Sequence, residues 1–214
     1  KRLGRAHSAQ EAVSAIKICV ENIENVTGDL IYGVPGQGIE EPANHAAQMA
    51  EIGVKHFSAY HLTIPKQHFL FSSLPDDGVA FEQIQLVANR LANHGFRHYE
   101  ISNFGKSGYE SKNNLNYWSG GPYLALGPSA HGFDGDKVRW QNISDWKEYV
   151  NRIRNGKSPV ESQETLEPDQ RRIETIFTGL RLEEGLDIAK IDRTYGCDLL
   201  VKKASIFQEW EKEG

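Results

Sequence analysis

Three times within the first 102 residues, a segment with helical periodicity runs into a short strand-like stretch that ends near glycine, proline or asparagine. Ser8, with Glu11 three residues on, makes a capping box, and Ala12, Val13, Ile16, Val20 and Ile23 then recur at helical spacing. The run Asp29-Leu30-Ile31-Tyr32 reads as a buried strand that leaves its sheet through Gly33-Val34-Pro35-Gly36. A second helix is expected over about Glu41 to Ile52, stopping at Gly53, and a second strand over Lys55 to Thr63, before Ile64-Pro65. A third helix carries Phe81, Ile84, Val87, Ala88 and Leu91 on one face and ends at Gly95, and His98-Tyr99-Glu100-Ile101-Ser102 follows as a strand. Helix and strand alternating through short connections imply crossover units, parallel pairing and an α/β fold.

The texture then changes. Residues from Asn103 to Asp136 are rich in Gly, Asn and aromatics, and a connection of that length is expected to be a functional, substrate-facing segment. After Val138-Arg139-Trp140-Gln141, a helix over about Ser144 to Arg154 leads through Gly156-Lys157-Ser158-Pro159. Pro168 suits a helix N1 position, and Ile173, Ile176, Phe177 and Leu180 form its apolar face. Asp187 and Asp198 are expected to cap two shorter helices behind it. The chain thus divides near residue 160, with residues 161–214 read as a separate, all-helical unit. It opens within a few residues of a helix cap and closes on Phe207-Gln208-Glu209-Trp210, still at helical spacing, so it reads as cut at both ends.

Composition narrows the function classes. With 39% apolar and 25% charged residues the chain is globular, and no stretch approaches the roughly 18 apolar residues of a membrane span. No apolar signal run follows Lys1-Arg2-Leu3-Gly4-Arg5, so a cytoplasmic location is expected. The net charge of −5 and the absence of a basic stripe argue against nucleic acid. From Asn151 to Gly214 there are 11 Lys and Arg against 13 Asp and Glu, which also disfavours a DNA-reading helix-turn-helix in the helical part. Cys19 and Cys197 lie far apart and form no metal-binding or disulfide pattern; each reads as an apolar filler.

Six blocks carry a family resemblance. They are Leu3-Gly4-Arg5-Ala6-His7, Asp29-Leu30-Ile31-Tyr32-Gly33-Val34-Pro35-Gly36-Gln37, Ser58-Ala59-Tyr60-His61-Leu62-Thr63, Tyr99-Glu100-Ile101-Ser102-Asn103-Phe104, Asn114-Leu115-Asn116-Tyr117-Trp118 and Leu126-Gly127-Pro128-Ser129-Ala130-His131. In this order and spacing the chain resembles the oxygen-independent coproporphyrinogen III oxidase family of radical-SAM proteins, the HemN/HemW family. Its Glu-Ile-Ser-Asn-Phe and Asn-x-x-Tyr-Trp blocks look like the heme-chaperone branch. The resemblance implies the C-terminal part of an incomplete, TIM-like βα barrel over 1–160 and the start of a helical C-terminal domain over 161–214. It implies S-adenosylmethionine as cofactor, a [4Fe–4S] cluster and heme or a porphyrin as partner. The cluster's Cys-x3-Cys-x2-Cys motif is absent from these 214 residues, so its ligands would lie in a missing N-terminal part, and the chain alone is expected to be inactive.

The resemblance also nominates residues. Arg5 and Asp29 match family contacts to S-adenosylmethionine; a structural Arg5–Asp29 pair is the other reading, since a carboxylate among apolar strand residues needs a partner. Thr63 ends its strand where a ligand-facing hydroxyl is expected, or only caps the turn before Pro65. Alternation places His61 with Thr63, toward substrate, or leaves it a core histidine. His131 sits in a loop that in this family passes the cofactor, and its imidazole could also meet a tetrapyrrole. Tyr117 and Trp118 would stack on a porphyrin or form a local core. The heme-chaperone branch usually begins this motif with histidine, whereas Asn113 stands here, and asparagine is a poor iron ligand. Two functions stay open: heme binding and delivery, or radical decarboxylation of coproporphyrinogen III propionates. With the first barrel strands missing, the strand at Leu30 and Tyr32 and the helix bearing Val13 and Ile16 are expected to be covered by a second copy of the chain.

Overall fold

The computed structural model describes Gly4 and residues 6–213, the side chain of Glu213 aside. It divides into two compact units, Lys1–Ser111 and Lys112–Gly214.

The first unit is built as α1 (Ala9–Asn22), β1 (Thr27–Tyr32), α2 (Glu41–Ile52), β2 (His56–His61), α3 (Asp77–Asn93), β3 (Arg97–Glu100) and β4 (Asn103–Gly105). The Ser8 capping box is formed, with Ser8 Oγ accepting from Glu11 N–H and Glu11 accepting from Ser8 N–H. Gly53 ends α2 at φ 117°, a left-handed conformation in which a side chain would be strained. The sheet order is β1-β2-β4-β3. β1 and β2 pair in parallel, as the crossover reading requires, whereas β4 folds back between β2 and β3 and is antiparallel to both. The hairpin of β3 and β4 turns at Ile101-Ser102, inside what read as one strand.

One core holds this unit together. Leu30, Phe57, Ala59 and Phe104 project from one face of the sheet onto Ala43, Ala46 and Ala50 of α2 and Val87 and Leu91 of α3, and Ile16 and Val20 of α1 pack at its edge. Small alanines let α2 lie close to the strands. Phe81, assigned by periodicity to the buried stripe of α3, is 65% exposed; its place is taken by Ala80 and Gln83. Leu30 is buried by its own chain, Val13, Ile16 and Tyr32 are half-buried, and β1 is an edge strand of the sheet.

The second unit comprises α4 (Lys112–Trp118), β5 (His131–Phe133), β6 (Val138–Asn142), α5 (Trp146–Arg154), β7 (Val160–Thr165), α6 (Pro168–Gly179), α7 (Ile188–Tyr195), α8 (Leu199–Lys202) and α9 (Ala204–Glu213). β5, β6 and β7 form an antiparallel sheet in that order. The segment from Asn103 to Asp136 therefore contains two short strands and a helix, and the chain after 160 opens with a strand before turning helical. Pro168 starts α6 and Asp187 caps α7 by accepting from Lys190 N–H, as read; Asp198 precedes α8 at φ 50° and makes no side-chain cap bond. Among the described residues, no helix is long and apolar enough to cross a membrane.

Candidate functional site

In the first unit all three helices cover one face of the sheet, and the opposite face is polar. Register places Thr27, Asp29 and Ile31 beside His56, Ser58 and Tyr60, with Asn103 opposite Ser58 and Glu100 opposite Asn103. Asp29, Ser58, Asn103 and Glu100 thus form one row across four strands. Asp29 is exposed, so its carboxylate is solvated and needs no buried partner, contrary to the reading from its apolar neighbours. Arg5 lies outside the described residues. Glu100 and Asn103 are buried; the Asn103 amide donates to Glu100 Oε1, as does Ser102 N–H at 3.0 Å, and Asn103 Oδ1 is buried with no hydrogen-bond partner.

A hydrogen-bonded chain runs along the same face. His56 Nδ1 meets Thr27 Oγ1 at 2.8 Å, His56 Nε2 meets the Tyr99 hydroxyl at 2.8 Å, and Ser111 N–H donates to that hydroxyl at 3.1 Å. Burial holds the His56 pKa below the ordinary histidine value, against the pull of Asp29, Glu100 and Glu110. Burial likewise raises the Tyr99 phenol. A neutral imidazole suits this arrangement, since one ring nitrogen donates while the other accepts.

His61 does not share the polar face. It pairs with Tyr32 in register and stacks on its ring at 5.3 Å, on the side of Ala59 and Leu30, so the face that alternation gave to His61 belongs to Tyr60. Thr63 lies two residues beyond the end of β2 and is exposed. The polar row of Ser58, Asn103 and Glu100 and the buried Gln83 of α3 were not nominated from sequence. Strict period-2 alternation from Phe57 gives the parity of Ser58, but the face of Asn103 depends on a hairpin invisible in the apolar pattern.

The second unit has a cavity of about 510 Å³ among α4, the sheet and α6. Tyr117, Trp118, Tyr123 and Phe133 form its aromatic wall, with Arg139 and Arg171 beside them. Tyr117 packs edge-on to Tyr123 at 4.8 Å, leaving its ring 39% exposed. Trp118 lies under the Arg181 guanidinium, 4.1 Å from the ring centroid, and Arg171 stacks on Phe133 at 4.6 Å. Glu174 receives both of its carboxylate oxygens' bonds from Arg139 Nη2 at 2.8 Å and lies 3.6 Å from Arg171. Burial opposes the Arg139 charge, and the Glu174 carboxylate more than offsets it, so the guanidinium pKa is raised. Asn113 is exposed in the first turn of α4.

His131 is exposed on β5, on the sheet face of Phe133 and Arg139, and lines a neighbouring hollow of about 310 Å³ with Gln141, Ser162 and Glu164. The loop before it is tied down by the buried Asn142, whose amide donates to Ala125 O and Gly127 O at 3.0 Å each. Gly127 has φ 101°, the left-handed region in which the turn favours glycine. Among the described residues, no three His, Cys, Asp or Glu side chains converge as metal ligands.

No family model matches the chain. It is 34% identical over 197 residues to the heme chaperone HemW of Mycobacterium tuberculosis, covering 88% of this chain and 50% of that protein. Against the heme chaperone HemW of Bacillus subtilis it is 28% identical over its full length and 58% of the relative, and against that of Escherichia coli 38% identical over 137 residues. The chain spans about half the length of these relatives. Its fold is that of coproporphyrinogen III oxidase (HemN) from Escherichia coli, a radical-SAM enzyme, with TM-score 0.76 at 17% identity over all of this chain and 54% of that one.

Proposed function

The chain is a HemW-like member of the HemN/HemW family over the half of those proteins that it spans, and we propose that it belongs to a heme-binding and heme-delivering protein. The observation that carries this reading is the 34% identity to a heme chaperone along 88% of the chain. The architecture agrees: the first unit corresponds to later strands of an incomplete βα barrel, and the helices after Thr165 to the start of a helical domain. Decarboxylation of coproporphyrinogen III, after which the fold neighbour is named, is the reading set against it and is not better supported.

Heme would meet the second unit. Tyr117 and Trp118 offer an aromatic surface to a porphyrin plane, and Arg171, held near Glu174, offers a guanidinium for a propionate. Axial ligation by Asn113 is not expected, which leaves His131 as the imidazole in the matching loop. His61, stacked on Tyr32, is the weaker substrate contact.

S-Adenosylmethionine would meet the first unit at the exposed Asp29. Asp29, the exposed member of its row, with Arg5 and Thr63 as the further family-matched contacts, would hold its ribose hydroxyls and amino-acid group, while Ser58, Asn103 and Glu100 beside it are buried. When bound, the cofactor supplies a reducible sulfonium. A [4Fe–4S] cluster does not fit these residues: Cys19 is exposed on α1, Cys197 is buried behind α7, and three convergent thiolates are required. No step through a cluster follows from this chain.

The test is a spectral titration of the purified protein with ferric heme. Saturable one-to-one binding is expected, weakened about tenfold or more by Trp118→Ala. Restoring the branch's histidine with Asn113→His should tighten binding and move the Soret band toward that of a histidine-ligated iron. Absence of saturable binding by the native protein would overturn the reading.

A further inference from the structure

Helix α3 carries a polar residue in the middle of its apolar stripe. Ala80, Gln83, Val87 and Leu91 are its buried positions, and Gln83 is 0% exposed. A primary amide in that setting is costly unless its carbonyl and its NH₂ are both bonded. Both are. Gly33 N–H donates to Gln83 Oε1 at 2.9 Å, and Gln83 Nε2 donates to Gly38 O at 3.3 Å.

Those two glycines bound the loop that follows β1, the strand of Asp29. Gly33, at φ 73°, has the His61 ring so close that a Cβ would come within 2.5 Å of it, so the loop leaves the strand under tight constraint. Inside the loop, Gln37 Oε1 accepts from Val34 N–H at 3.3 Å and Gln37 Nε2 donates to Ile31 O at 3.3 Å. Gly38 O also accepts from Glu41 N–H at 3.1 Å, at the entry to α2. One side chain from α3, 50 and 45 residues away in sequence, therefore fixes both ends of a segment at the C-terminal edge of the parallel strands, where ligands of such sheets bind.

We propose that Gln83 is a positioning residue that sets the ligand-facing loop Gly33–Gly38 through its two amide hydrogen bonds; this rests on the reading that the edge beside Asp29 receives S-adenosylmethionine. Only a group that accepts at one end and donates at the other satisfies both glycines. Leucine at this position would fill the space and bond neither. Glutamate would keep the acceptor for Gly33 N–H, but as a carboxylate it would turn a lone pair toward Gly38 O. Burial raises a carboxyl pKa, so as pH falls a glutamate here becomes a neutral acid and regains a donor.

The experiment uses the whole protein that contains this chain, prepared anaerobically, with S-adenosylmethionine affinity measured by calorimetry from about pH 9 to about pH 6. Amide exchange of residues 33–38 is followed in parallel. Gln83→Leu is expected to bind about tenfold more weakly at every pH and to exchange faster in this loop. Gln83→Glu should match that loss at high pH and recover toward the native affinity as pH falls, relative to the native protein under the same conditions. Asp29→Asn should weaken binding with the exchange of 33–38 unchanged. Native affinity in Gln83→Leu, or a Gln83→Glu affinity that follows the native protein at every pH, overturns the proposal. If the native protein fails to bind S-adenosylmethionine, the reading of the edge fails, and exchange decides the clamp separately: unaltered exchange of 33–38 in Gln83→Leu overturns it, and faster exchange confined to that loop supports it.

Discussion

The Arg181 guanidinium rests 4.1 Å above the centre of the Trp118 indole, so a cation from the turn after α6 holds the last residue of the aromatic motif in place. A partly desolvated pair of this kind contributes on the order of 1 kcal/mol. Arg181→Ala is expected to destabilise the second unit by about that amount, and Arg181→Lys by less. Urea unfolding followed by tryptophan emission measures both; equal stability of the native protein and Arg181→Ala would show that the stacking contributes nothing.

Glu174 neutralises the cations beside the aromatic wall of Tyr117, Trp118, Tyr123 and Phe133. Its partners are about one-third exposed or less, with Arg139 at 29% and Arg171 at 16%, and Glu174 itself is 33% exposed, so solvent screening limits the pair to about 1 kcal/mol of stability. Glu174→Gln should lower stability modestly while tightening ferric heme binding, because a propionate no longer competes with a carboxylate for Arg171. Weaker heme binding in this variant would place the propionates elsewhere.

His56 makes stability depend on pH. Its folded pKa lies below the unfolded value of about 6.5, so the unfolded chain binds the proton more readily. The sign follows: this contribution is fully present above the unfolded pKa and is lost as pH falls toward the folded one. His56→Gln should flatten that part of the stability profile in denaturant titrations between about pH 7.5 and pH 5. A native profile of unchanged slope in His56→Gln would assign the acid loss to other groups. Tyr99→Phe removes the phenol that bonds His56 and Ser111 and is expected to cost about 1 kcal/mol.

Local signals were legible along much of the chain. The capping box at Ser8, the left-handed Gly53 and the Pro168 start of α6 follow from backbone chemistry within a few residues, and each helix forms where its caps say. The six motif blocks identified the family. What escaped depends on tertiary partners. β7, Val160–Thr165, is nearly all polar, so no apolar alternation marks it as a strand against β6. β4 is three residues long and is defined by its neighbours. Asp29 read as a buried charge because its sequence neighbours are apolar, yet the helices chose the face of Leu30 and left Asp29 in solvent. Nothing in the periodicity of α3 singles out Gln83, and only the loop that reaches it explains its burial.

Because Asp29 is exposed, the ligand contact proposed for it is separable from folding. Asp29→Asn is expected to change stability by no more than about 0.5 kcal/mol, as for surface substitutions, while lowering S-adenosylmethionine affinity. Thermal unfolding and calorimetry on the same sample give both quantities; a loss of stability of several kcal/mol would return Asp29 to a structural role.

The proposed function is heme binding and delivery, set against decarboxylation of a porphyrinogen. The most direct measurement supplies the anaerobic whole protein with reductant and S-adenosylmethionine and follows ferric heme binding and carbon dioxide release from coproporphyrinogen III side by side. Saturable one-to-one heme binding that depends on Tyr117 and Trp118, with no carbon dioxide released, is the predicted result. Turnover of coproporphyrinogen III with carbon dioxide release, and no saturable heme binding, would contradict it.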